Sequence, residues 1–222
     1  MFKINKLDLL IATYIFCIAA SELMGAKTFP LFTIFGFHLS ASVAIFVIPV
    51  IFTINDVIAE VFGKARARSV VWSGFFVILL IILFSFLATA LPPSARFLPS
   101  ESAYDDVFFK TIRISVASLI AFGLSDFLDV YIFMKIREKL GKKNLWLRTN
   151  VSNILSEFVD TTTFITLAFY ALNLSFASNF PFLAGIILPY WLLKCFMSVI
   201  ETPFAYLGVN WLKKGNEAQA VK

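Results

Sequence analysis

Runs of about 20 consecutive apolar residues recur along this chain, close to what an α-helix needs to cross a hydrocarbon core about 30 Å thick. They fall near Leu7–Met24, Ala41–Phe62, Ser69–Leu91, Phe108–Met134, Leu147–Leu172 and Phe182–Trp211. The runs are continuous rather than alternating with period two, which argues against a transmembrane β-barrel. With 15% charged residues in 222, the chain has too little polar surface to coat a water-soluble domain of this size. Lipid is therefore its solvent. The expected fold is an all-α membrane protein, a bundle of six transmembrane helices forming a single domain over residues 1–222.

The net charge of +5 would suit a nucleic-acid binder, but its distribution gives it another meaning. With those six spans, Lys3, Lys6, Lys64, Arg66, Arg68, Lys135, Arg137, Lys139, Lys142, Lys143, Arg148, Lys213, Lys214 and Lys222 all fall on one side of the membrane. Lys27 and Arg96 fall on the other, and Lys110, Arg113 and Lys194 fall inside spans. Basic loops stay cytoplasmic, so both termini are expected inside a bacterial inner membrane, with lipid and not nucleic acid as the macroscopic partner. The start of the chain resembles a signal peptide, yet Ser21-Glu22-Leu23-Met24-Gly25 lacks a small-x-small cleavage site and is expected to stay as the first helix. Cys17 and Cys195 sit within spans and read as buried thiols.

The linkers are short. Gly25–Ser40 holds Pro30, Gly36 and His38, Gly63–Arg68 is a basic turn, and Pro92–Asp106 is the longest acidic loop. Lys135–Arg148 is the main basic loop. No ATPase domain fits among them, so energy is expected from an ion gradient, from trapping of the substrate, or from a separate partner.

Acids inside the spans carry the strongest chemical signal. Glu22, Asp56, Glu60, Asp126, Asp129, Glu157, Asp160 and Glu201, with Lys194, fall within or near them. An ionised group at the middle of an isolated helix costs about 2.5–3.5 kcal/mol on insertion scales. Such groups must face the bundle interior, pair with one another or line a polar cavity. Asn150, Asn153, Glu157 and Asp160 follow helical spacings and form one stripe on span five, while Lys194 and Glu201 share a face of span six. Asp126, Glu157 and Lys194 count to similar depth; Asp56, Glu60 and Asp129 lie nearer the cytoplasm. The pairs Asp56/Glu60, Asp126/Asp129 and Glu157/Asp160 leave open an inverted three-plus-three repeat. Blander roles stand beside these: Glu60 and Asp129 as interface acids, Lys194 in a structural ion pair, the span-five stripe as interhelical glue, and Lys110 and Arg113 snorkelling to headgroups. The residues by themselves point to a polar small molecule rich in N–H donors, or a cation, and no further.

Along almost its whole length the sequence resembles the vitamin uptake transporter (VUT) family, also called queuosine precursor transporters. The resemblance rests on Asp56-Val-Ile-Ala-Glu-Val-Phe-Gly-Lys64, Arg66-Ala-Arg-Ser-Val-Val-Trp72, Arg113 with Ala117-Ser-Leu-Ile-Ala-Phe122, and Leu128-Asp-Val-Tyr-Ile-Phe133. Ser152-Asn153-Ile-Leu-Ser156, Asp160-Thr-Thr-Thr-Phe164, and Lys194 with Glu201-Thr-Pro-Phe-Ala-Tyr206 complete it. It implies import of 7-deazaguanine bases used to make queuosine in tRNA, and a bundle similar to the substrate-binding subunits of energy-coupling-factor transporters. Glutamine is common in the family where Asp126 and Glu157 stand here, and aspartate where Glu201 stands. Two extra acids imply a preference for an amine-bearing precursor, 7-aminomethyl-7-deazaguanine or queuine, over the 7-cyano compound.

The expected site is therefore Asn153, Glu157 and Asp126 on the base edge, Asp160 and Asp56 on an amine or a co-transported proton, and Lys194 holding the carboxylates ionised. Glu201 positions Lys194, and Asp129, Arg113 and Glu60 join them as candidates. No cofactor and no metal is expected; proton coupling and a homo-oligomer stay open. The alternative is a substrate-binding subunit with another ligand, served by a separate ATPase. Ala117 and Ala121 have the Ala-x-x-x-Ala spacing such subunits present, though in span four. An intramembrane enzyme is disfavoured, since no His-Glu-x-x-His, Gly-x-Ser-x-Gly or P-loop pattern occurs.

Overall fold

The structure, a computed structural model, describes residues 5–34, 36–140 and 145–220, and their side chains except at 34, 37, 64, 129, 130, 133, 137, 139, 140, 145–150, 153, 197–205 and 213–220. Six helices follow the apolar runs: α1 (Lys6–Met24), α2 (Ile48–Phe62), α3 (Lys64–Ala90), α4 (Glu101–Leu140), α5 (Leu145–Phe169) and α6 (Phe176–Ala220). Asn5 caps α1 by accepting from the Leu7 N–H at 2.9 Å. Between α2 and α3 the chain reverses at Gly63, whose φ of 84° and ψ of 163° lie in a region open almost only to glycine.

Among the described residues, five helical segments are long and apolar enough to cross a membrane: Lys6–Met24, Val43–Phe62, Ala65–Ala90, Leu98–Leu128 and Phe176–Phe196. Helix α5 is not one of them, because Glu157, Asp160 and the Thr161–Thr163 run dilute its apolar content. The outside is as greasy as expected. On α3, Phe76, Leu83, Phe84 and Phe86 are exposed while Val70, Gly74 and Ile78 face inward, the inverse of a water-soluble helix.

Three segments depart from the sequence reading. The Gly25–Ser40 linker forms an antiparallel hairpin, β1 (Thr28–Ile34) and β2 (Phe37–Ser42), with a bulge at Leu31 and Gly36 at φ 83° in its turn. Span two is not one helix from Ala41: a 3₁₀ turn at Val43–Phe46 precedes α2, and Pro49 occupies the first turn, where its missing N–H is harmless. Helices α4 and α6 outrun the hydrophobic core, since 40 and 45 residues span about 60 Å and more at about 1.5 Å per residue. The last six residues of the expected Pro92–Asp106 loop, Glu101–Asp106, are consequently α-helical.

The helices pack in sequence order, α2 on α3, α3 on α4, α4 on α5 and α5 on α6, and α6 returns to α2 to close the ring. Helix α1 leans chiefly on α2, α3 and α4. Glycines allow the close approaches. A Cβ on Gly74 would lie 2.4 Å from Ile18 Cδ1, and one on Gly208 would lie 2.6 Å from Val57 Cγ2. The hairpin seats on α6, where a Cβ on Gly185 would stand 2.4 Å from the His38 carbonyl oxygen. Ala41 is buried there with Ile165, Leu183, Ile186 and Tyr190. The Tyr190 hydroxyl donates to the Ser42 carbonyl at 3.0 Å, and Ser42 Oγ donates to the Gly25 carbonyl at 2.6 Å. Cys17 is buried and Cys195 half-buried, and neither is in a disulfide.

Candidate functional site

Helical phase turns one polar side chain after another toward the middle of the ring. On α1, Ile18, Ser21 and Glu22 are three and four apart; on α4, Ile114, Ser118 and Phe122 repeat every four; on α6, Tyr190 and Lys194 are one turn apart. Together with Asp160, Thr161 and Phe164 of α5, Phe52 of α2 and Phe75 of α3, they enclose a cavity of about 230 Å³. All six helices contribute to its wall. The Phe75 and Phe122 rings meet at a tilt with centroids 4.3 Å apart, giving the cavity an aromatic side.

Two carboxylates, Asp160 of α5 and Glu22 of α1, line it as separate poles. At one, Lys194 Nζ lies 3.0 Å from Glu157 Oε2 and is hydrogen-bonded to Asp160 Oδ2, while Ser125 Oγ reaches Asp160 Oδ1 at 3.5 Å. This cluster ties α4, α5 and α6 together. At the other, Glu22 is only 4% exposed and accepts from Ser115 Oγ at 2.9 Å and from the Ser118 side chain. Thr161 is 2% exposed, lines the cavity, and its Oγ1 has no hydrogen-bond partner among the described residues. A hydroxyl left unpaired in a nearly dry site is costly.

The expected site residues divide accordingly. Glu157, Asp160 and Lys194 come together. Asp56 and Glu60 on α2 and Asp126 on α4 occupy exposed positions and do not line the cavity. On α2, Ile54, Val57 and Ile58 take the inward phase, which rotates both acids away. The three acid pairs therefore do not occupy equivalent places. The side chains of Asn153, Asp129 and Glu201 lie outside the described residues.

Arg113 does something else. Its Nε donates to the Leu167 carbonyl at 2.8 Å and its Nη2 to the Tyr170 carbonyl at 2.5 Å, so it satisfies the open C-terminal carbonyls of α5. Asn179 assists from α6 by accepting from the Ala171 N–H and donating to the Ala171 and Leu174 carbonyls. Arg113→Ala is expected to cost about 1–3 kcal/mol of stability by stranding these carbonyls, while folded molecules keep their substrate affinity. Thermal melting and ligand titration of one detergent preparation check both halves. Lys110 forms an exposed pair with Asp106 at 2.5 Å. Ala117 and Ala121 are both 1% exposed and are spent on packing α4 inside the bundle.

Sequence reasoning had Glu22 among the acids but gave it no place at the site. No spacing marks it, because its partners Ser115 and Ser118 are far away in sequence. The aromatic wall was hidden among 27 phenylalanines.

Residues 42–208 match the protein family described as "Putative vitamin uptake transporter". The chain belongs to this family. It is 31% identical over 86% of its length to a "Probable queuosine precursor transporter" of Bacillus subtilis, covering 79% of that protein. It is 29% identical over 61% of its length to a protein of the same name from Haemophilus influenzae, and 28% identical over 62% to the "Queuosine precursor transporter" of Escherichia coli. Of these last two it covers 54% and 58%. No solved structure matches the chain. This vitamin uptake transporter family member is thus a multi-pass bacterial inner-membrane protein that takes a small-molecule substrate.

Proposed function

We propose that this transporter imports a queuosine precursor, a 7-deazaguanine base, through a pathway that includes the central cavity, and that it is not an enzyme. The observation that carries the reading is the cavity itself, with an aromatic wall and carboxylates on two sides, in a relative of queuosine precursor transporters. Drug-sized ligands occupy pockets of about 300–1,000 Å³; about 230 Å³ suits one fused ring system. Carboxylates accept from N–H groups, and a purine-like face stacks on Phe75, Phe122 or Phe164.

Six crossings with both termini cytoplasmic belong to the same proposal. Helix α5 has 25 residues, enough for about 37 Å, and lies between α4 and α6 with its acids turned inward. The preference for an amine-bearing precursor rests on Asp160, which lines the cavity, with Glu157 behind it sharing Lys194; Asp126 adds nothing to the cavity. Proton coupling would use this same cluster. An energy-coupling-factor arrangement would need an exposed small-residue strip, and Ala117 and Ala121 are buried.

Titration of the detergent-purified protein with 7-cyano-7-deazaguanine, 7-aminomethyl-7-deazaguanine and queuine, against guanine and biotin, tests this. Saturable binding of the deazaguanines, tightest for the amines, is expected. Failure of all three would overturn the substrate, and equal affinity would overturn the amine preference.

A further inference from the structure

The two carboxylate poles are not alike, and the difference assigns them separate tasks. Asp160 is already matched by a lysine. Among the described residues no cation forms a salt bridge with Glu22; its partners there are the hydroxyls of Ser115 and Ser118, which donate and so hold it as an acceptor. A carboxylate has about four lone-pair sites, and two hydroxyls leave the rest directed at the cavity that Glu22 lines.

We infer that Glu22 is the specificity-determining residue of this transporter, accepting two adjacent N–H groups of a heterocyclic base in bidentate fashion while the Asp160–Lys194 pole receives its opposite end. The inference rests on the cavity being the base site. An acceptor–acceptor face matches the donor–donor edge of a 2-amino-6-oxo ring, N1–H beside the exocyclic N–H. It rejects a 6-amino ring, whose edge offers one donor and one acceptor. A glutamine amide, offering one of each, reverses that match.

The test is the ratio of affinities for 7-deazaguanine and 7-deazaadenine, which mere loss of stability would not move. Wild type is expected to favour 7-deazaguanine by about tenfold or more, the discrimination one bidentate pair supplies. Glu22→Gln brings the ratio to about one or below. Glu22→Asp, kept as the variant that retains a carboxylate, reaches a single N–H and lowers the ratio without inverting it. A wild-type ratio preserved in both variants overturns the assignment of Glu22 and leaves the transport reading standing. If wild type binds neither base nor any precursor, the transport reading falls and the assignment falls with it.

Discussion

Replacing Lys194 by methionine should abolish substrate uptake and remove about 3–5 kcal/mol of stability, the usual consequence of stranding buried partners of an ion pair. The lysine side chain is 12% exposed and touches two carboxylates that stand one helical turn apart on α5. Without it they face each other as like charges in a site of low dielectric. The penalty is unequal. Glu157, 35% exposed, is partly screened, so most of the cost falls on Asp160. Adding Asp160→Asn and Glu157→Gln to Lys194→Met should recover most of the lost melting temperature by removing the stranded charges. Uptake should stay lost, because the recovered protein has no charged pole to bind with. Melting in detergent and whole-cell uptake separate these effects. A Lys194→Met protein with normal melting and normal uptake would show that the cluster matters to neither.

A second large effect is expected far from any charge. Gly185→Val should lift the β1–β2 hairpin off α6 and cost about 1–3 kcal/mol, the range for overpacking a filled interior. The atom its side chain would strike is the His38 carbonyl oxygen. That is backbone, and it cannot rotate away as a side chain would. The Tyr190 to Ser42 hydrogen bond would stretch with it, loosening α6 one turn from Lys194. Substrate affinity should therefore fall along with stability. Gly123→Ala is the control: a Cβ there meets nothing within 4 Å, and alanine is the better helix former by about 1 kcal/mol. If Gly185→Val melts like Gly123→Ala, the hairpin is not seated as described.

Much of the candidate site was legible because burying charge in lipid is so costly. Glu157, Asp160 and Lys194 announce themselves as ionisable groups within apolar runs, and helical spacing puts the two acids on one face. The same argument applied to Asp56, Glu60 and Asp126 does not bring them to the cavity, because a count of residues gives depth along a helix but not its rotation. That rotation is set by which face packs, and on α2 the branched residues Ile54, Val57 and Ile58 take the inner side. Arg113, expected to snorkel to headgroups or to join the site, has as partners carbonyls at the end of a helix more than fifty residues later.

Sequence alone determined the solvent, the helical class and the position of each apolar run, since hydropathy and period are properties of neighbours along the chain. Only the tertiary structure decided that the first linker is a hairpin docked on α6, that Glu22 meets Ser115 and Ser118, and that phenylalanines share their cavity. Those pairings join residues from distant helices, and their energy depends on packing distances that glycines at 74, 185 and 208 set by the Cβ atoms they lack.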